Sequence, residues 1–155
     1  MQAVHFRTVQ NTEPSFRLPI RVYYEDTDAG GVVYHANYLR FFERCRTEWL
    51  RALGFHQNEL AQRDGIAFVV ADAQIEYLRP ARLDDELIID ARVSALHRSA
   101  ISFEQYARRG AEYLCRARVR VVCVDAATLR PTRLPQTVTN LLQTGLPAAS
   151  DTEPA

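Results

Sequence analysis

The 155-residue sequence contains no lysine: arginine accounts for all 19 residues of its Lys-plus-Arg total. This absence excludes catalysis through a lysine Schiff base and nucleotide binding through the lysine of a P-loop. An excess of charge of one sign is also missing, because 19 acidic residues balance the 19 basic ones. No overall field therefore favours nucleic acid, and we expect no nucleic-acid partner.

Long apolar runs and paired cysteines are absent as well. No run is long enough to span a bilayer, and the first residues lack the apolar core of a signal peptide. We therefore expect no transmembrane segment and a cytoplasmic location, with peripheral association at the inner membrane left open. Cys45, Cys115 and Cys123 form no CxxC pair, so buried free thiols are the simplest interpretation.

Length and composition predict one globular domain. A chain of 155 residues can bury one hydrophobic core but is short for two. We place the domain at residues 17–143 and expect residues 1–16 and 144–155 to be flexible tails. The C-terminal tail is small, polar and proline-containing, which is typical of disorder.

The sequence predicts one long helix followed by strands. Apolar residues recur at three- and four-residue steps from Asn37 to Leu53, which indicates a helix that ends before Gly54. Alternating or continuous apolar runs predict strands over residues 18–25, 66–78, 86–96, 100–109 and 112–125. Because helices and strands do not alternate, we expect an α+β protein, with an antiparallel sheet of about five or six strands around the helix.

The segment EDTDAGGVVYHANYLRFFE, from Glu25 to Glu43, crowds carboxylates, glycines and a histidine before the predicted helix. A turn with a helix cap would account for one acid and one glycine, but not for the whole cluster beside His35. The pair Asp26 and Asp28 could instead hold a divalent cation, but few further ligands lie nearby. We therefore expect no metal.

A third interpretation of this segment is acyl-transfer chemistry. The N-terminus of a helix offers unpaired N–H groups and a positive dipole end, which can polarise a carbonyl oxygen. A carboxylate beside it can act as a nucleophile or as a base on water, and glycines let a flat acyl group approach the backbone. A carboxylate, an oxyanion donor and a neighbouring imidazole together suit acyl transfer.

The run RVYYEDTDAGGVVYHANYLRFFERCRTEWLRALG closely resembles the 4-hydroxybenzoyl-CoA thioesterase family of hotdog-fold acyl-CoA thioesterases. The nearest branch is that of the YbgC-type enzymes, whose genes accompany the Tol-Pal envelope system. The likeness continues through AFVV, EYLRPARLDDEL and VRVVCVD, and so covers the chain except its two tails. It implies a hotdog fold, hydrolysis of acyl-CoA to free acid and CoA, and no cofactor. It also implies a homodimer that assembles to a homotetramer, with active sites at subunit interfaces.

The resemblance assigns the catalytic residues. Asp28 falls on the catalytic carboxylate of the DxDxxG stretch, and Tyr24 and His35 fall on the residues that accompany it. Asp28 would act either as a nucleophile, giving a mixed anhydride, or as a base on water. The N–H of His35 would be the oxyanion donor.

The resemblance also assigns residues around the substrate. Gly30 and Gly31 fall where the thioester carbonyl is received. Glu43 lies on the helix where the family often keeps an acid, and we expect it to support the site rather than to react. Arg98 falls where related enzymes place two or more adjacent basic residues against the CoA phosphates. This chain has a histidine at one of those adjacent positions.

Four alternative functions compete with acyl-CoA hydrolysis. A hotdog dehydratase would place its catalytic histidine and acid differently, and a serine thioesterase is disfavoured because the sequence has no GxSxG. Two alternatives stay open: an enzyme acting on acyl carrier protein, and a binding or scaffold partner in envelope or lipid synthesis.

Overall fold

The computed structural model describes residues 15–143, in which one long helix crosses a five-stranded sheet. The strands are β1 (Phe16–Arg21), β2 (Ile66–Tyr77), β3 (Glu86–Leu96), β4 (Ala100–Arg109) and β5 (Glu112–Asp125). The helices are α1 (Asn37–Ala52), the short α2 (Gln57–Glu59), which continues into a π-helical turn (Leu60–Asp64), and α3 (Gln136–Gln143).

The strands form one antiparallel sheet in the order β1-β3-β4-β5-β2, so that β1 and β2 lie at its edges. Helix α1 packs against β1, β3 and β4. This arrangement confirms the predicted α+β class, with an antiparallel sheet around one long helix. The bounds of β3, β4 and β5 agree with the prediction, and β2 ends one residue earlier than predicted.

Helix α1 buries most of its predicted apolar face. The helix ends at Ala52, one residue before the predicted end at Leu53. Ala52 is exposed, although it belongs to the predicted apolar face. Gly54 follows with a φ of 96°, a left-handed conformation that stops a helix. The residues of the predicted face that the sheet buries are Tyr38, Phe41, Phe42, Cys45 and Trp49.

The buried face of α1 also carries a polar residue that the apolar pattern does not predict. Arg46 is buried and donates a 2.8 Å hydrogen bond to Oε1 of Gln105 on β4. The amide nitrogen of Gln105 donates in turn to the carbonyl oxygen of Phe42, at 3.0 Å. This network satisfies polar groups in the core and fixes α1 over β4.

Strand β1 ends earlier than predicted, because the chain leaves the sheet after Arg21. The Asp26 carboxylate accepts a 2.7 Å hydrogen bond from the N–H of Tyr23, and the N–H of Asp26 donates back to the Tyr23 carbonyl at 3.0 Å. A side chain that captures a nearby backbone N–H competes with strand pairing. The predicted strand over 18–25 is therefore wrong at its end, where Tyr24–Asp26 forms a 3₁₀ turn.

The last described helix, α3, was not predicted from the sequence. It is short, and Val138 and Leu142 are its two buried residues. Strand β1 begins at Phe16, one residue before the predicted domain start. The remainder of the two predicted tails, residues 1–14 and 144–155, lies outside the described residues.

The cysteines are free and buried, as predicted. Burial raises the pKa of Cys45 and of Cys115 to about 12, so neither thiol forms the reactive thiolate at neutral pH. None of the helices within residues 15–143 has the length and apolar character needed to cross a membrane.

Candidate active site

The acid and glycine motif folds into a tight turn that presents Asp28. The N–H of Asp28 donates to the Val32 carbonyl at 2.9 Å, and the N–H of Gly31 donates to the Asp28 carbonyl at 3.0 Å. Gly31 has a φ of 77°, which strongly favours glycine. The N–H of Gly30 donates to Oδ1 of Asp28 at 2.8 Å, and a Cβ at Gly30 would lie only 3.2 Å from that oxygen. Both glycines thus have a local role in closing the turn on the Asp28 side chain.

Asp28 and His35 line one groove of about 320 Å³ between the start of α1 and the end of β2. The structure therefore brings together two of the three predicted catalytic residues. Asp28 is exposed, and its second carboxylate oxygen accepts no hydrogen bond within residues 15–143. The rest of the lining is mainly apolar: Val32, Val33, Tyr38, Tyr77, Leu78, Arg79 and Pro80.

The N-terminus of α1 opens into this site without a cap. The N-cap residue is Ala36, whose side chain cannot accept a hydrogen bond. Within residues 15–143, the N–H groups of His35 and Ala36 have no hydrogen-bond acceptor. Unpaired N–H groups at the positive end of a helix dipole can bind a carbonyl oxygen or an oxyanion.

Asp26 has a different role from Asp28. Its Oδ1 accepts a 2.7 Å hydrogen bond from the Asn37 side-chain amide, and its Oδ2 accepts the N–H of Tyr23 at 2.7 Å. Its backbone carbonyl accepts the N–H of Tyr34 at 2.9 Å. Asp26 therefore links the 3₁₀ turn to the first residue of α1, which leaves its carboxylate no unused oxygen. Across residues 15–143, no cluster of three or more His, Cys, Asp or Glu side chains has the arrangement of a metal site.

Tyr24 and Glu43, which were predicted to belong to the site, lie outside the groove. Tyr24 stands in the 3₁₀ turn with 82% of its surface exposed. Glu43 is exposed on α1, where its carboxylate accepts a 2.9 Å hydrogen bond from Thr47 Oγ1. It lines a separate cavity of about 80 Å³ between α1 and the sheet. In one chain, neither residue lines the groove that contains Asp28.

Arg98 lies far from the groove within one chain. It is exposed in the turn between β3 and β4. The groove adjoins the other end of β3, where Val32 forms a β-bridge with Arg82. Strand β3 has 11 residues, and at about 3.3 Å per residue it separates the two ends by roughly 35 Å. Within one chain, Arg98 therefore does not belong to the lining of the groove.

Two tyrosines that the sequence does not single out hold the groove in shape. The Tyr77 hydroxyl donates to the carbonyl oxygen of His35 at 2.7 Å. The Tyr38 hydroxyl accepts the N–H of Ala81 at 3.2 Å, and the Ala81 carbonyl accepts the N–H of Val33 at 2.8 Å. Tyr38 has a sequence signal in the helical pattern, and Tyr77 has one in the strand pattern and in the run EYLRPARLDDEL, but none of these reveals the contacts.

Comparisons with known proteins identify the family of the chain. A family model described as the thioesterase-like superfamily matches residues 22–142. The acyl-CoA thioesterase YbgC of Haemophilus influenzae is 50% identical over 123 residues, which are 79% of this chain and 90% of that protein. The acyl-CoA thioester hydrolase YbgC of Escherichia coli O6:H1 is 47% identical over 124 residues, covering 79% of this chain and 92% of that protein. A solved structure of a probable thioesterase from Bartonella henselae is 42% identical with a TM-score of 0.74, and covers 77% of this chain and 98% of that one.

These matches confirm the predicted resemblance to hotdog thioesterases and to their YbgC-type branch. The link to the Tol-Pal system stays a prediction. The family match begins at Val22 and includes the acid and glycine turn, helix α1 and all of β2 to β5. The chain belongs to the thioesterase-like superfamily.

Proposed function

We propose that the protein hydrolyses acyl-CoA thioesters to free acid and CoA. The observation that carries this proposal is one groove in which the Asp28 carboxylate and the uncapped start of α1, at His35, lie together. Relatives named acyl-CoA thioesterase and acyl-CoA thioester hydrolase, 47% to 50% identical to this chain, support the substrate class.

The chemistry follows from these groups. The thioester carbonyl oxygen accepts hydrogen bonds from the N–H groups of His35 and Ala36, which stabilise the negative charge that develops on it. In one route, Asp28 attacks the carbonyl carbon, the C–S bond breaks to release CoA thiolate, and water hydrolyses the mixed anhydride. In the other, Asp28 takes a proton from water, whose oxygen attacks the same carbon and expels the thiolate. The His35 ring lies beside the reacting groups in either route.

The test is turnover of a panel of acyl-CoA and acyl carrier protein thioesters by the purified protein. Released CoA can be followed with a thiol reagent, because the protein's own three cysteines are buried. We expect hydrolysis of acyl-CoA, and no turnover across the panel would refute the proposal. Faster hydrolysis of the carrier-protein thioesters would indicate that the enzyme acts on acyl carrier protein rather than on acyl-CoA. A rapid burst of CoA ahead of free acid would identify the anhydride route.

A second copy of the chain completes the proposed site. Edge strand β2 has 12 residues. Its last residue, Tyr77, and the following residue, Leu78, are exposed beside the groove. Val69 and Val70, near the start of β2, are also exposed. An exposed apolar edge of this length needs a partner strand or protection. We infer a homodimer paired along β2, which assembles to a homotetramer, with Arg98 of a neighbouring copy near the CoA phosphates. We also infer a cytoplasmic location, with association at the inner membrane as an open possibility.

A further inference from the structure

Tyr77, the last residue of β2, contacts both the backbone and the ring of His35. Its hydroxyl donates a 2.7 Å hydrogen bond to the His35 carbonyl oxygen. Its ring stands edge-on to the His35 ring, with centroids 6.3 Å apart, and edge-on to the Tyr38 ring at 5.6 Å. Tyr77 thus links an edge strand of the sheet to the turn that precedes α1, in the groove that contains Asp28.

The carbonyl that Tyr77 holds belongs to the peptide unit between His35 and Ala36. The described chain has no cis peptide bond, so this unit is planar and trans. Fixing its C=O therefore also fixes the direction of the Ala36 N–H, which points to the opposite side. The neighbouring N–H of His35 belongs to the same short turn. Tyr77 thereby restrains the turn that carries the N–H groups of His35 and Ala36, neither of which has a hydrogen-bond acceptor within residues 15–143.

Other hydrogen bonds hold different parts of this turn. The N–H of Tyr34 donates to the Asp26 carbonyl at 2.9 Å, and the N–H of Asn37 donates to the Tyr34 carbonyl at 2.8 Å. Neither bond involves the peptide unit of residues 35 and 36. In the described part of the chain, the His35 carbonyl accepts its hydrogen bond from Tyr77 alone.

We propose that Tyr77 is a positioning residue for thioester hydrolysis, which acts through the peptide unit of His35 and Ala36 to aim both N–H donors at the developing oxyanion. The inference rests on the proposed function. Donors that are already oriented stabilise a transition state most effectively, because no reorganisation is needed during the reaction. The Tyr77 hydroxyl keeps its proton at neutral pH, as tyrosine ordinarily does, and partial desolvation raises its pKa further.

The test compares Tyr77→Phe with the matched variant Tyr113→Phe. The first change removes the hydroxyl and keeps the ring that packs on His35 and Tyr38. Tyr113 is similarly exposed, 51% against 45% for Tyr77, but it lies on β5 outside the groove and packs edge-on against Tyr106. We expect Tyr77→Phe to lower kcat about 10-fold, less than the ~10²–10³-fold cost of deleting a direct oxyanion donor. We expect KM, and inhibition by a non-hydrolysable acyl-CoA thioether, to change less than about twofold, since these report ground-state binding.

Amide hydrogen exchange without substrate provides an independent measurement. We expect exchange at Tyr34 and Asn37, the hydrogen-bonded amides of the turn, to accelerate in Tyr77→Phe and to stay unchanged in Tyr113→Phe. A purely structural role would lower the melting temperature and leave kcat per folded enzyme intact. Wild-type kcat in folded Tyr77→Phe, or unchanged exchange at both amides, would overturn the inference. If the wild-type protein hydrolyses no thioester, the proposed function fails, and the exchange experiment alone decides whether Tyr77 holds the turn.

Discussion

Asp28 and Asp26 are two residues apart but differ in what their carboxylates contact. Asp28 uses one oxygen to accept the Gly30 N–H, and its other oxygen accepts no hydrogen bond within residues 15–143. Asn in place of Asp28 can still accept that N–H and keep the turn, but it cannot attack a thioester or take a proton. We expect Asp28→Asn to stay folded and to lose at least about 100-fold in kcat for acyl-CoA. The control is Glu25→Gln, which neutralises a nearby exposed acid in the same way. Near-wild-type turnover by Asp28→Asn would refute the catalytic assignment of Asp28.

Asp26→Asn should damage stability more than chemistry. Both Asp26 oxygens accept hydrogen bonds, from the Tyr23 N–H and from the Asn37 amide, whereas Asn has one carbonyl oxygen and an NH₂ group. One donor then loses its acceptor, which costs about 1–3 kcal/mol of unfolding free energy. Denaturant unfolding measures this loss, and kcat should fall less than in Asp28→Asn. If EDTA abolished wild-type activity and a divalent cation restored it, Asp26 and Asp28 would have to be reconsidered as metal ligands.

Helix α1 combines a packing face with a start that is left uncapped. Ala36 at the N-cap leaves the N–H groups of the first turn open, where a capping residue would be stabilising. Asp at this position would gain about 0.3–1 kcal/mol from the helix dipole, so the fold should persist. Its negative charge would oppose the oxyanion, and we expect Ala36→Asp to lower kcat at least about 10-fold.

The isosteric neutral variant Ala36→Asn separates charge from size in this experiment. It should lose less activity than Ala36→Asp, with a difference that shrinks as salt rises. Equal losses in the two variants would show that steric blocking of the groove, rather than charge at the start of α1, controls the rate.

The elements that can be predicted from the sequence are those set by local pattern. Period-3.6 spacing predicts α1, and alternation predicts β3 to β5, because burial of one face dictates both patterns. The end of β1 is mispredicted because the Asp26 carboxylate captures the Tyr23 N–H, a contact that no apolar pattern encodes. Helix α3 was missed because only Val138 and Leu142 are buried on it.

The candidate site likewise has a part that the sequence predicts and a part that it does not. Asp28 and His35 belong to one contiguous motif, so their shared groove can be predicted from the sequence. The contact between Tyr77 and His35 joins residues 42 positions apart, and it exists only because β2 returns beside the start of α1. Such a contact depends on the tertiary fold, so no local pattern in the sequence indicates that Tyr77 contacts His35.

The proposed pairing of two chains can be tested at the edge strand. Val70 on β2 is 52% exposed, and a charged side chain at a sheet edge opposes pairing with a second strand. We expect Val70→Arg to give a folded monomer by light scattering, with strongly reduced kcat/KM because the groove lacks its second wall. Leu129→Arg, at a 65% exposed position after β5, should keep both assembly and activity. A fully active monomer would contradict the two-chain site.

Arg98 tests whether the neighbouring copy contributes to substrate binding. It lies in the β3–β4 turn, at the end of β3 away from the groove, and in the proposed dimer it would act on the partner's substrate. An arginine that holds CoA phosphate binds the ground and transition states equally. We therefore expect Arg98→Ala to raise KM for acyl-CoA more than it lowers kcat, whereas Arg130→Ala, at another exposed arginine, should change neither. The effect should disappear with acyl-pantetheine, which carries no nucleotide. An unchanged KM for acyl-CoA would remove Arg98 from the site and leave the dimer intact.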